Sequence, residues 1–572
     1  MSAPTTPTRK RQHAPDREHL QPAEDFGVTL SPEAIELASD PARLARAYGG
    51  SGIVDVLKNR VALVCSLCAT TGGLLFGFFP EVDPAVTSSA SLNKGVMTAL
   101  LELGAFIGAL MAGFTADRWS RKVAIAIGVA WFIIGSTLQT ASFGLAQLIV
   151  GRFIGGIGVG VLSTTSPTYI SEIAPPNVRG AMLALQEFAI VLGIVVMYYI
   201  TYGTRHIVGE WCFRLPFLIQ MVPAFPLAVA LLFFPYSPRW LASKGRDGEC
   251  LASLSRLRRL PTTDPRLQAE WLQIRAEACR NREALINRHP TLQGDSFGQQ
   301  LKLEIASWAD MFKPGAIRRT LIGMAIMFFQ QFSGVNALIY YSPTLFEQLG
   351  LDYELQLTLS GALNVSQLVA VIPAIFFLDY IGRKKPLIAG AIGMTVSHFV
   401  VAGMISRGQG DWAHHGVEAW VGVGFIIFWM IPFGMCWGTV PWALPSEIFP
   451  SSRRAKGVAL TTCTHWFSNF IVGLITPPLV SGTGYGVFIF FGVFCFLGGV
   501  WALFCVPETK GISLEQMDHV FGGHTARDDL TAKAEITQVL AGPRRLPSMS
   551  GSEEKVHDHD DKHAETDWVE RV

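Results

Sequence analysis

Runs of about 20 mostly apolar residues, the length a helix needs to cross a bilayer, alternate along the chain with short polar stretches. Twelve such windows predict twelve spanning helices, near residues 60–79, 95–116, 123–142, 144–167, 181–203, 213–234, 318–340, 357–378, 386–405, 418–443, 458–480 and 486–506. A long polar interruption splits them into six plus six. It carries fifteen Lys/Arg and nine Asp/Glu between 235 and 319, with helical stretches such as Ala269 to Ala284, and predicts a soluble helical linker. The pattern divides the chain into an N-terminal tail (1–55), a six-helix half (56–234), the linker (235–317), a second six-helix half (318–506) and a C-terminal tail (507–572). The first 50 residues, Pro-rich and charged, and the final stretch, with its run from His557 to His563, predict mobile tails; that His/Asp run reads as solvated chain rather than a metal site.

Composition agrees with an all-α integral membrane protein. Of 572 residues 50% are hydrophobic and only 16% charged, where a soluble domain carries about 25% charged residues. Lys+Arg 46 against Asp+Glu 45 leaves a net charge of +1, so no basic field exists to hold nucleic acid. Nine scattered cysteines form no disulfide framework, and Cys65-Ser-Leu-Cys68, inside an apolar run, reads as small buried side chains. No nucleotide loop, metal-ligand set or Ser/His/Asp constellation stands in a plausible context, so the reading is not an enzyme and calls for no cofactor or metal. The polar N-terminal 50 residues exclude a cleavable signal peptide. With the N-terminus placed in the cytoplasm, the inner short loops hold ten Lys/Arg and the outer loops four, which orients both termini and the linker to the cytoplasm.

Three strings recur, each at the cytoplasmic end of the corresponding helix in the two halves. Asp117-Arg-Trp-Ser-Arg-Lys122 returns as Asp379-Tyr-Ile-Gly-Arg-Lys-Lys385. Ser171-Glu-Ile-Ala-Pro-Pro-Asn-Val-Arg-Gly180 returns as Ser446-Glu-Ile-Phe-Pro-Ser-Ser-Arg-Arg-Ala-Lys-Gly457. Pro235-Tyr-Ser-Pro-Arg239 returns weakly as Pro507-Glu-Thr-Lys-Gly511. A duplicated six-helix unit is the architecture of secondary transporters, which rock one half against the other around a midplane site. The charges of these strings, Asp117, Arg118, Arg121, Glu172, Arg179 and Arg239 in one half and Asp379, Arg383, Glu447, Arg453 and Arg454 in the other, form the expected cytoplasmic gate. Exposed pairs are worth about 0–1 kcal/mol each, so such a gate tunes an equilibrium without locking it.

Several strings in order resemble the sugar porter family of the major facilitator superfamily over roughly 55–520, and fungal hexose transporters within it: Gly151-Arg-Phe-Ile-Gly-Gly156, Ser171-Glu-Ile-Ala-Pro175, Ser237-Pro-Arg-Trp-Leu241, Gln330-Gln-Phe-Ser-Gly-Val-Asn336 with Tyr340-Tyr341, Val440-Pro-Trp442 and Pro507-Glu-Thr-Lys-Gly511. The resemblance implies the major facilitator fold and transport of a sugar, most simply a hexose, by a monomer in the plasma membrane, with protons as a second partner where transport is symport. It also implies that Gln330, Gln331, Asn336, Asn364, Trp442 and Asn469 bind the sugar. The chemistry of the side chains agrees, because amides donate to and accept from hydroxyls without placing a charge in the membrane, and rings at Phe329, Trp442 and Trp466 offer stacking surfaces. Gly334 marks a place where span seven can break and turn backbone toward a cavity.

The chain departs from the family pattern twice. Where the family carries a sugar-binding Gln in span five, this chain has Glu187 beside Gln186, and a carboxylate at membrane depth is functional by default. In span one, Gly72-Gly-Leu-Leu-Phe-Gly-Phe-Phe79 has Phe79 where the family's proton-carrying aspartate is expected, and Val61 to Phe79 are 19 residues, about 28 Å of helix. Glu81 and Asp83 follow in a proline-bounded outer loop. An arginine stays charged in any site, so Arg152, deprived of that aspartate, is expected to pair with Glu187, and these two are the candidate coupling residues. Two alternatives stay open at this level: a non-transporting sugar sensor on the same scaffold, and a facilitative carrier without proton coupling.

Overall fold

The computed structural model describes residues 28, 30–49, 91–175, 178–292, 296–408, 411–450, 452–510, 521 and 525–541. The first predicted span (60–79), Glu81, Asp83 and the 557–563 run lie outside them. Eleven helices among the described residues are long and apolar enough to cross a membrane, and each coincides with a predicted window. In the first half they are α3 (Ser91–Arg118), α4 (Arg121–Thr140), α5 (Leu145–Ile173), α6 (Arg179–Thr204) and the pair α7 (Trp211–Ile219) and α8 (Ala224–Phe233). Large apolar side chains such as Ile134, Phe233, Ile392 and Phe504 stay exposed on these spans, as a lipid-facing surface requires.

The polar segment after α8 folds into helices α9 (Pro238–Ser243), α10 (Asp247–Arg258), α11 (Pro265–Arg288) and α12 (Phe297–Ala309). Its longest member, α11, begins where Asp264 caps the Arg266 N–H at 2.9 Å and Pro265 supplies a preset first residue. The second half contains α13 (Ile317–Phe332), α14 (Val335–Tyr340), α15 (Ser342–Glu347), α16 (Tyr353–Ile381), α17 (Lys384–Gly408), α18 (Gly416–Pro432), α19 (Val440–Ile448), α20 (Arg454–Thr483) and α21 (Gly486–Cys505). Each half has its own apolar core, and the halves meet along α3 against α20 and α6 against α16.

Close approach of α3 and α5 is set by glycine. A Cβ on Gly156 would overlap the Leu101 carbonyl, so the two backbones touch as small-residue stripes permit in lipid. Span seven breaks at Gly334, φ +93°, where α13 gives way to α14, as its sequence suggests. Span ten breaks too, which the apolar window did not reveal: Pro432 ends α18, Phe433–Trp437 form a π-helical turn, and α19 follows.

The tails differ from expectation. Pro32–Ser39 (α1), Pro41–Ala47 (α2) and Thr525–Ala541 (α22) are helical, and they pack on α11 around Leu37, Leu44, Leu267, Trp271, Leu272, Ile536 and Leu540. The physical reason is that α11 carries Trp271 and a run of leucines that it cannot bury alone, and these short helices each bring a few apolar side chains to that face. Within the resulting cap Arg258 and Glu270 form a buried bidentate pair (2.6 and 2.9 Å), the Tyr48 hydroxyl donates to Glu270 at 2.8 Å, and Arg258 Nη1 donates to the Ile173 carbonyl at the end of α5 (2.8 Å).

Candidate functional site

Between the halves lies a cavity that opens to solvent. Glu187, Gln330, Gln331, Asn336, Asn364, Trp442 and Asn469 all line it, so the structure brings together in one place side chains separated by up to half the chain. The breaks deliver them. The positive-φ turn at Gly334 lets Asn336 face the same side as Gln330 and Gln331, and the π turn of span ten leaves the Trp437 carbonyl to accept from Gln330 Nε2 at 3.0 Å. Asn336 Nδ2 donates to Gln331 Oε1, and Asn469 Nδ2 donates to the Tyr340 hydroxyl at 3.3 Å.

The wall contains residues that the motifs did not single out. His465 Nδ1 lies 2.9 Å from Gln331 Nε2 and 3.1 Å from Gln330 Oε1, with its ring 4.9 Å from that of Trp442; its tautomer decides which amide it serves. Gln367 lines the cavity one helical turn after Asn364, a spacing of three residues that puts both on one face of α16 and was legible in the sequence. Of the three rings considered for stacking, Trp442 alone lines the cavity. Phe329 packs on Phe328 and Trp501, and Trp466 is turned toward the other half, donating to Ser163 Oγ at 3.1 Å. A helix rotates about 100° per residue, so the phase that brings His465 into the wall takes Trp466 out of it.

The cavity also holds unsatisfied acceptors. Asn364 Oδ1, Gln367 Oε1 and Asn469 Oδ1 are buried and have no hydrogen-bond partner among the described residues. A buried polar atom left unpaired costs about 1–3 kcal/mol, a cost that a ligand with several hydroxyl donors removes.

Arg152 and Glu187 do not pair. Arg152 is buried on α5, and the carboxylate acting on it is Glu102 of α3. Glu187 faces the cavity from α6 with no ion pair among the described residues. The helix phase is again the cause: Arg152 points to the glycine-packed contact with α3, whereas Glu187 points into the cavity.

At the end carrying the Arg-rich strings, the duplicated motifs form duplicated geometry. In the first half Arg121 bonds Glu172 at 3.0 Å and Glu172 accepts from the Ser237 hydroxyl. In the second, Arg383 bonds Glu447 at 2.8 Å and Glu447 accepts from the Thr509 hydroxyl. Each member of one triad is the repeat counterpart of the same member in the other. Asp117 joins the first triad through Arg121 at 3.0 Å, Arg239 pairs with Glu277 of α11 at 2.8 Å, and Arg118 donates to Gln300 of α12. Arg453 stands at the N-cap position of α20, without a side-chain capping bond, and Arg454 opens that helix. The side chains of Arg179 and Asp379 lie outside the described residues. Among the described residues these pairs are made within halves, and Lys456 links the halves, 3.5 Å from Asp117 and also bonded to Glu304 of α12. At the opposite end Arg205 of α6 and Glu354 of α16 form a bidentate pair across the halves, at 3.1 and 2.6 Å.

Comparison with known proteins places this arrangement. Residues 65–521 match the family described as "Sugar (and other) transporter". The high-affinity glucose transporter of Kluyveromyces lactis is 32% identical over 492 residues, covering 80% of this chain and 84% of that protein. The high glucose sensor RGT2 of Saccharomyces cerevisiae is also 32% identical, over 81% of this chain, although this chain spans only 61% of that longer protein. The solved structure of the proton:xylose symporter XylE, bound to 6-bromo-6-deoxy-D-glucose, superposes with a TM-score of 0.64 at 26% identity, over 81% of this chain and 99% of XylE. The matched residues, the duplicated motifs and the two-half fold agree: the chain is a multi-pass membrane protein that belongs to the sugar porter family of the major facilitator superfamily.

Proposed function

We propose that this protein moves a neutral sugar, a hexose, across the plasma membrane by alternating access and in symport with protons, with both termini and the linker in the cytoplasm. The observation that carries the reading is the set of buried acceptors, Asn364 Oδ1, Gln367 Oε1 and Asn469 Oδ1, left without donors in a cavity that also presents Trp442. A polyhydroxy ring supplies O–H donors to the amides and a C–H face to the indole, and no charged ligand is asked for. The broken spans seven and ten place flexible joints beside the site, and the ion pairs at the two ends, Lys456 with Asp117 and Arg205 with Glu354, are the contacts that must alternate. The glucose-transporting relative and the proton:xylose symporter support the substrate class and the coupling.

Uptake of labelled D-glucose into cells lacking their own hexose transporters tests the reading, with a panel of competing sugars and with a protonophore. Saturable uptake that the protonophore suppresses is expected; uptake indifferent to it points to a facilitative carrier. The identity with a glucose sensor favours a second reading, sugar-dependent signalling on the same scaffold. Sugar binding without flux in the same cells would select it.

A further inference from the structure

Among the described residues, Glu102 is the one carboxylate of a membrane span that is fully buried, at 1% exposure, and it lies where α3 touches α5, between the Leu101–Gly156 and Gly104–Phe153 backbone contacts that also bring Arg152, 4% exposed, to this seam. Glu102 Oε2 and Arg152 Nε have no hydrogen-bond partner among the described residues, so the two charges act on each other without a closed pair there. Tyr340 is the tyrosine that acts most directly on the Glu102 carboxylate. That tyrosine belongs to α14 in the other half, lines the cavity and accepts from Asn469. A chain of polar groups therefore runs from Arg152 through Glu102 and Tyr340 to Asn469, crossing from one half to the other and ending in the cavity.

We propose that Glu102 is the proton-carrying group of this transporter, with Arg152 as its fixed countercharge and Tyr340 as its link to the sugar. The proposal rests on the proton-linked reading above. The step is a single O–H bond: a proton from water on one side adds to Glu102 and leaves to water on the other. A charge buried without neutralisation is costly, so the ionised carboxylate is favoured by the permanent charge of Arg152 and by the Tyr340 O–H. Once Glu102 is protonated it no longer draws that O–H, which turns to the cavity and to a sugar hydroxyl. Proton and sugar then favour each other's binding, and by linkage the coupling is mutual. Besides Arg152, α5 carries Tyr169, which donates to the Pro235 carbonyl at 2.8 Å, and Glu172, held in the triad with Arg121. Tyr341 donates to the Gly473 carbonyl at 2.9 Å; α4 has only Arg121 and Lys122 at its far end; α20 has Arg454 and Lys456 at its start, then Cys463 and His465. Neither His465 nor Glu187 is among the charges that act on Glu102 or Arg152.

The test uses the full-length protein in liposomes with labelled D-glucose. Glu102→Gln is expected to lower accumulation driven by an inward proton gradient at least about tenfold while gradient-free counterflow persists, and Tyr340→Phe to weaken the response to the gradient. Independently of flux, quenching of tryptophan fluorescence by D-glucose in detergent reads affinity against pH: the parent binds more weakly as pH rises and Glu102→Gln is flat. Proton-driven accumulation retained in Glu102→Gln, or pH dependence abolished in Glu187→Gln instead, overturns the assignment. A parent that carries glucose with pH-independent affinity overturns the proton-linked reading and this proposal together. A parent that binds with pH dependence but carries nothing overturns transport alone, and Glu102 is then judged on the binding curves.

Discussion

The amides of the cavity differ in what they have left to offer. Gln330 Nε2 is already committed to the Trp437 carbonyl, whereas Asn364 Oδ1 has no partner. Replacing Asn364 with Ala is therefore expected to raise the apparent KM for sugar about tenfold, the loss of one hydrogen bond near 1.4 kcal/mol, with the thermal midpoint unchanged; Gln330→Ala costs affinity and thermal stability together, because it also releases span ten. Concentration dependence of uptake beside a melting curve separates the two. A third residue ties a motif to pH. Burial raises the Glu508 carboxyl, but the N–H groups of Arg383, Lys510, Lys384 and Thr509, at 2.9 to 3.2 Å, outweigh it and hold the pKa below its ordinary value. A carboxyl held low contributes stability that is present above its unfolded-state pKa and lost as pH falls through the depressed folded value. Glu508→Gln is expected to melt earlier at neutral pH, by about 1 kcal/mol, with the two melting curves converging on the acid side. The motifs made the amides legible as a set. His465 was not, since a lone histidine on an apolar helix is by default a core residue and only the phase of α20 puts it on the wall.

At the scale of elements, apolar runs located every described span, because burying backbone polar groups in lipid leaves the helix as the only solution for a chain of this pattern. The breaks were less legible. Gly334 announced one through its place among amides, and its φ of +93° is a conformation that costs an L side chain about 1 kcal/mol or more. A Cβ there would also meet Phe491 Cγ at 2.7 Å. Gly334→Ala is expected to straighten span seven, pull Asn336 out of the cavity and reduce sugar uptake about tenfold or more, with protein still reaching the membrane; surface labelling beside uptake checks this. Span ten hid its break because Pro432 lies in the middle of a long apolar window, and hydropathy reads length rather than continuity of hydrogen bonds. The helices of the tails were missed for a related reason: α1, α2 and α22 are too short and polar to stand alone and become ordered only by covering α11. Glu270→Gln tests that dependence. It leaves Arg258 buried with its charge unbalanced, a loss of about 3–5 kcal/mol, so faster proteolysis of the cap is expected while the membrane spans stay protected.

For the whole molecule, the duplicated triads have a consequence that neither half has alone. Arg121, Glu172 and Ser237 in one half and Arg383, Glu447 and Thr509 in the other each brace the ends of their own helices, so under the alternating access proposed above each half is expected to move as a body without breaking its triad. What must break is the contact between bodies. On the Arg-rich end that contact is Lys456, which reaches Asp117 and Glu304, and on the other end it is Arg205 with Glu354. The repeat strings made the triads visible in sequence, but Lys456 has no counterpart that marks it as the bridge, since bridging depends on α3 and α20 meeting across the halves. Because Lys456 and Arg205 hold opposite ends, removing one should bias the carrier one way and removing the other the reverse. Such pairs are worth about 1 kcal/mol or less, so Lys456→Gln is expected to raise the population open at the Arg-rich end by no more than about fivefold, and Arg205→Gln to lower it. Distances between spin labels on the Arg-rich ends of α3 and α20 would read both. Equal shifts in the same direction would mean that these pairs only brace the fold. Opposite shifts that cancel in the double variant would mean that the two ends compete for one equilibrium, which is what alternating access requires.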